Sequence, residues 1–219
     1  MTQIPLEQIQ AAFAELREVK TSFAARGWFP GTSGNLSVRV GEIDEERRFT
    51  FAVTASGKDK AANTPEDFLL VNEHGQPTGP TGLKPSAETL IHCEIYKHTG
   101  CGAIFHVHTV FNNVISEFDA SFGAVPIQSV ELIKALNIWD EDAKIEIPIL
   151  PNYADIPRIA ELVGGAIRPR VPGVLLRNHG IYAWGANAFE ARKHLEAFEF
   201  LFEHRYRSLL LSQAQSTRR

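Results

Sequence analysis

The chain has 219 residues, 44% of them hydrophobic, and 22 lysines and arginines against 26 aspartates and glutamates, for a formal net charge of -4. That length can bury a substantial core, and a single domain over residues 1–219 is the expectation. The charge balance, with no block of like sign, argues against a nucleic-acid or anionic-membrane partner; the absence of any apolar run near the roughly 18 residues of a span, or of a signal-peptide pattern, points to a cytoplasmic protein.

Residues 6–23 carry apolar side chains at Ile9, Phe13, Leu16, Val19 and Phe23, spacings of three and four that describe one helix face. Gly27 follows, and residues 28–37 form a compact turn with Gly31, Gly34, three hydroxyls and Asn35 before residues 36–40 begin to alternate as a strand. Glycines there let backbone amides converge and the hydroxyls add donors, so the loop either cradles an anion or is a plain turn; it lacks the spacing and lysine of a Walker loop. Residues 41–48 read as a charged hairpin loop and 49–54 as a second strand. Just past it, Ser56, Gly57 and Lys58 place a hydroxyl, a glycine and a cation together, with Lys58 either a countercharge for phosphate or a solvated surface residue. A further strand runs around residues 68–71, and glycines and prolines rule out regular structure over 72–82.

A helix opens at Pro85-Ser86-Ala87-Glu88, with Ser86 expected as its N-cap. Free amides and the positive dipole end favour an anion near Ser86, and Glu88 in the first turn complements the same dipole. His74, His92 and His98 have no partner pattern and read as surface or structural residues, and Cys93 and Cys101 as small buried thiols. Residues 104–109, Ile-Phe-His-Val-His-Thr, form a short apolar strand. Alternation places His106 and His108 on one face, where two imidazoles suit zinc or another divalent first-row metal, given a third ligand held at an angle. His179, between an apolar run and Gly180, is the best distant candidate. The alternative is a pair of partly buried, hydrogen-bonded histidines.

Residues 110–115 continue as a short helix, and 118–127 hold a loop and a short apolar return. Residues 129–136 are strong helix formers; Glu131 near their start is either a helix cap or a partly buried proton-transfer group. Residues 145–150 alternate like an edge strand demoted by Pro148. A short helix over 156–163 is closed by Gly164-Gly165, residues 171–180 form the strand that delivers His179, and 181–185 return as a hairpin. A long helix over 188–210 carries a broad apolar stripe, and a frayed polar tail follows from 212 to 219. Without the strand-helix alternation of a doubly wound sheet, the fold expected is α/β, three-layer α/β/α, with a mainly antiparallel central sheet and helices on both faces.

Gly31-Thr32-Ser33-Gly34-Asn35-Leu36-Ser37, Thr54-Ala55-Ser56-Gly57, Lys84-Pro85-Ser86-Ala87-Glu88, His106-Val107-His108-Thr109 and Asn178-His179-Gly180, in this order over essentially the whole chain, resemble the class II aldolase and adducin head domain family. Gln128-Ser129-Val130-Glu131-Leu132-Ile133-Lys134 resembles the branch that dehydrates a ketose 1-phosphate. The resemblance implies one zinc per subunit on His106, His108 and His179, a phosphate pocket from Asn35, Ser56, Gly57 and Ser86 with Lys58 auxiliary, and Glu131 as the acid/base. It also implies a ring-shaped homotetramer with its sites between subunits. Glu88 stands where the family's sugar-phosphate aldolases have a glutamate, which implies a fourth metal neighbour or a base and makes aldolase or epimerase chemistry the alternative. A non-catalytic, adducin-like interaction domain is a third reading, but it has no physical reason to retain three imidazoles and two carboxylates.

Overall fold

In chain order, the computed structural model, which describes residues 4–216, runs through α1 (Leu6–Ala25), β1 (Asn35–Val40), β2 (Thr50–Thr54), β3 (Phe68–Asn72), α2 (Thr89–Thr99), β4 (Ala103–Val107) and α3 (Val110–Phe118). It continues through β5 (Ala124–Gln128), β6 (Lys144–Leu150), α4 (Ile156–Ala166), β7 (Gly173–Leu176), β8 (Gly180–Gly185) and α5 (Ala188–Ser216). The strands form one sheet in the order β3-β2-β1-β4-β8-β7-β6-β5. Neighbours are antiparallel except β6 and β7, whose parallel pairing needs the crossover that α4 supplies.

Alternation along the central strands feeds two cores. Leu36, Phe105 and Leu175 turn to the face covered by α1, α3 and α5, where they meet Leu16, Phe23, Ile115, Leu195, Phe198 and Leu201. Phe51, Val53, Ile104, Val174 and Leu176 turn to the other face and meet Ile91, Ile95 and Tyr96 of α2 and Ile159 and Val163 of α4. The result is the expected three-layer α/β/α arrangement with a mainly antiparallel sheet.

Several local expectations are corrected. Residues 145–150 are not an edge strand: the apolar return before Gln128 pairs outside them as β5, and Pro148 sits opposite Ala124 at the end of the ladder, where hydrogen bonding resumes from Ile149 to Gly123. Gly164-Gly165 does not close α4, which continues to Ala166; a Cβ at Gly164 would lie 2.5 Å from His98 Nε2, so the glycine allows α4 to lie close on α2. Ser86 is not the N-cap. Its amide donates to Thr54 O, holding it beside β2, and Glu88 takes the cap position before Thr89. Residues 129–136 form a 3₁₀ helix, Glu131–Leu136, entered through Ser129 at φ 54°. The frayed tail expected from 212 is helical to Ser216, and residues 217–219 lie outside those described.

Candidate metal centre

His106 projects from β4 toward α2, and Asn35 of β1 is its register partner across the ladder. Gly34 makes this approach possible. At φ +76° it takes a left-handed conformation, and a Cβ there would lie 2.6 Å from His106 O. His108 falls just beyond the end of β4 rather than inside it, because Thr109 caps α3 in a reciprocal box with Asn112 and turns the chain. The same-face expectation still holds, with the two Nε2 atoms 2.9 Å apart. His179 is not delivered by a strand over 171–180: β7 ends at Leu176, and His179 lies in the β7–β8 turn behind Asn178 at φ 51°, its carbonyl held 2.8 Å from Asn113 Nδ2. One ring nitrogen from each of the three histidines lies within 4.8 Å of the others.

The outer nitrogens set the tautomers. His106 Nδ1 is 3.0 Å from Ile181 O and His179 Nδ1 3.1 Å from Asn152 Oδ1, so each donates outward and turns its Nε2 lone pair inward. Tyr182 stacks flat on His106, centroids 3.9 Å apart, and fixes the ring plane. Glu88 completes the cluster, with Oε1 2.9 Å from His179 Nε2 and Oε2 3.4 Å from His106 Nε2. Lone pairs facing a carboxylate need positive charge between them, and the donor set fits a divalent cation.

Burial drives His106 well below the ordinary histidine range and, aided by His179, brings His108 to about 4, which favours in both the neutral form a ligand needs. Burial alone would raise the Glu88 carboxyl, but positive charge on the His106 and His179 side of the site, together with the Asn35 amide, outweighs it and holds Glu88 well below the usual carboxylate range. Glu88 therefore belongs to the centre rather than serving only the helix dipole.

The expected phosphate residues are distributed differently. The Ser56 amide donates to Lys84 O and Ala55 bridges Pro85, so the Ser56-Gly57 and Ser86 loops run side by side. Asn35 is engaged on both sides: its Nδ2 donates to Glu88 Oε2 at 2.6 Å and its Oδ1 contacts His92 Nε2. Lys58 pairs with Glu66. Lys60, unremarked in the sequence, instead reaches the loop before β1, donating to Thr32 O at 2.5 Å, and its charge acts on both Glu88 and His108. Its only signal was a second cation two residues past Lys58. Glu131 is not partly buried as expected; its side chain is 83% exposed and pairs with Lys134 at 2.9 Å. His74 and His98 are exposed, whereas His92 is fully buried. Cys93 and Cys101 are buried free thiols, each pushed up to about 12 by burial.

Residues 14–206 match the family model of the Class II Aldolase and Adducin N-terminal domain. A methylthioribulose-1-phosphate dehydratase of Geobacillus kaustophilus is 54% identical over 200 residues, covering 91% of this chain and 93% of that protein. The enzyme of the same name from Persephonella marina is 50% identical over 198 residues, 90% of each. Among solved structures, L-fuculose-1-phosphate aldolase from Thermus thermophilus superposes with a TM-score of 0.70 at 27% identity, over 92% of this chain and 96% of that one. With the imidazole trio, Glu88 and the eight-stranded sheet arranged as described, the chain belongs to the class II aldolase and adducin N-terminal domain family.

Proposed function

We propose that this chain catalyses the zinc-dependent dehydration of 5-methylthioribulose 1-phosphate to 2,3-diketo-5-methylthiopentyl 1-phosphate in methionine salvage. The observation that carries it is the convergence of three imidazoles and one carboxylate, in a chain 50–54% identical, over about nine-tenths of its length, to proteins named for that reaction. His106, His108 and His179 hold the zinc, which when bound polarises the C2 carbonyl and acidifies the C3 proton. Glu88, ionised beside them, takes that proton. The C3–H electrons form the C3–C4 double bond as the C4 hydroxyl leaves, and Glu131 delivers the proton with which it departs as water; the enol then becomes the C3 ketone. Ser56, Gly57 and Ser86 hold the phosphate through amides and hydroxyls, with Lys60 the nearer cation and Lys58 auxiliary.

Glu131 lies exposed on its own chain, so it serves the centre of an adjacent subunit in a homotetramer. In support of that contact, α3 exposes Val110, Val114 and Phe118 at four-residue spacing, immediately beyond His108. No described helix is long and apolar enough to cross a membrane.

The test is turnover of 5-methylthioribulose 1-phosphate by zinc-loaded protein, with the diketone quantified. Absence of that product, together with cleavage of a ketose 1-phosphate to dihydroxyacetone phosphate, replaces the dehydratase with an aldolase.

A further inference from the structure

Behind Glu88 lies a second row of polar groups, none of which reaches solvent. Asn35 and Ser37 project from the same face of β1, and His92 and Tyr96 lie one turn apart on α2, itself one turn past Glu88. Asn35 is 2% exposed, and Ser37, His92 and Tyr96 are 0%. From the centre outward, Asn35 Nδ2 meets Glu88 Oε2 at 2.6 Å, Asn35 Oδ1 contacts His92 Nε2, His92 Nδ1 meets Ser37 Oγ at 2.7 Å, and Ser37 Oγ meets Tyr96 Oη at 2.8 Å.

The direction of every bond follows from the first. Asn35 Nδ2 donates to Glu88 Oε2, so its NH₂ faces Glu88 and its carbonyl faces His92. His92 Nε2 must then donate. Burial brings His92 to about 3, so at neutral pH the ring carries one proton and Nδ1 is an acceptor, which takes the Ser37 hydroxyl proton. Ser37 Oγ in turn accepts from the Tyr96 phenol, which burial keeps protonated. Each hydrogen points toward Glu88.

We propose that Ser37, His92 and Tyr96, acting through Asn35, are positioning residues that lock one tautomer of His92 and so aim the Glu88 carboxylate at the imidazole centre. The inference rests on Glu88 being the base of the proposed reaction, and it makes the motif Asn-x-Ser on β1 with Glu-x₃-His-x₃-Tyr on α2 a functional unit.

Two readouts test it. In metal-free protein at neutral pH, nitrogen-15 spectra of the imidazoles should find His92 protonated at Nε2 alone; an Nδ1–H tautomer or an imidazolium overturns the proposal. In zinc-loaded protein, H92F keeps the ring shape without the donor and should retain its zinc and its KM while kcat falls about 10- to 100-fold. H92Q, which restores a donor toward Asn35, should recover most of that loss. Unchanged kcat in H92F, or H92Q no better than H92F, refutes the positioning role. S37A, a smaller change, should populate the second His92 tautomer and lower kcat, so an unchanged tautomer and kcat in S37A refute it even if H92F does not fold. Inactivity of the unmodified enzyme on 5-methylthioribulose 1-phosphate would instead strike the assigned reaction and leave the tautomer result standing.

Discussion

Glu199 of α5 lies beneath the turn that follows His108, accepting hydrogen bonds from Thr109 Oγ1 at 2.6 Å and Asn112 Nδ2 at 2.8 Å. Burial raises its carboxyl to about 7, above the roughly 4.3 of an unfolded chain. A raised folded-state value means that its contribution to stability is complete below the unfolded value and is lost as pH rises through about 7. E199Q should therefore lose less Tm than the unmodified protein between acidic and alkaline buffers, measured by thermal melts. Parallel pH profiles would contradict the burial cost assigned to Glu199. At the centre itself, E131Q should fold and keep its zinc yet dehydrate substrate roughly 100-fold more slowly. H106A should lose metal, read by elemental analysis after dialysis, because no remaining group replaces that inward lone pair.

At the level of elements, the loops around the centre are fastened by a few contacts that tolerate little change. Lys20 of α1 and Asp67, each 2% exposed, pair at 2.5 Å, and Lys20 also donates to Ala62 O at 2.5 Å, so one ammonium ties α1 to the segment leading into β3. Removing one partner leaves the other charge buried, and D67N should cost about 3–5 kcal/mol in denaturant unfolding. Burial alone would raise Asp67, but Lys20 and Thr64 outweigh it and lower its carboxyl. The stability it supplies is therefore present above the unfolded value of about 3.9 and is lost as pH falls through the lower folded value. Gly180 is a second constraint: a Cβ there would meet Val107 O at 2.4 Å and His106 Cε1 at 2.7 Å. G180A must push β8 away from β4, and its zinc affinity should fall more than its Tm. Equal retention of both would mean that the β4–β8 contact does not set the geometry of His106.

For the molecule as a whole, the sheet has unequal ends: β3 at one edge, and at the other β5, which leads into the 3₁₀ helix bearing Glu131. If a neighbouring subunit receives Glu131, two inactive proteins can complement one another. Mixing H106A and E131Q subunits after dissociation should restore activity to roughly a quarter of the sites, those that pair intact histidines with an intact neighbouring Glu131. Mixtures as inactive as their parents, or particles that sediment as monomers, would confine catalysis to one chain.

The ligand chemistry was legible in the residues because it depends on local period. Strand alternation points His106 to the site and extended chain one step past the strand brings His108 beside it, whereas the glycine after His179 signalled only where a strand would end, and the turn takes in His179 itself. The same locality explains the correct placement of α1, β2, β4 and the long α5. Non-local register decided the rest. Glu88 is indistinguishable in sequence from a first-turn carboxylate; docking of α2 against β1 and β4 brings it to the imidazoles and aligns His92 and Tyr96 with Asn35 and Ser37. Residues 145–150 became interior because β5 folded outside them, and Gly164-Gly165 stayed helical because α2 packs there. Lys58 and Lys60 share a loop with no period to tell them apart, so only the neighbouring chain at Thr32 and Glu66 assigns them. Glu131 is exposed for a related reason: a strong helix-forming stretch specifies a helix, but whether any surface covers that helix depends on contacts distant in sequence.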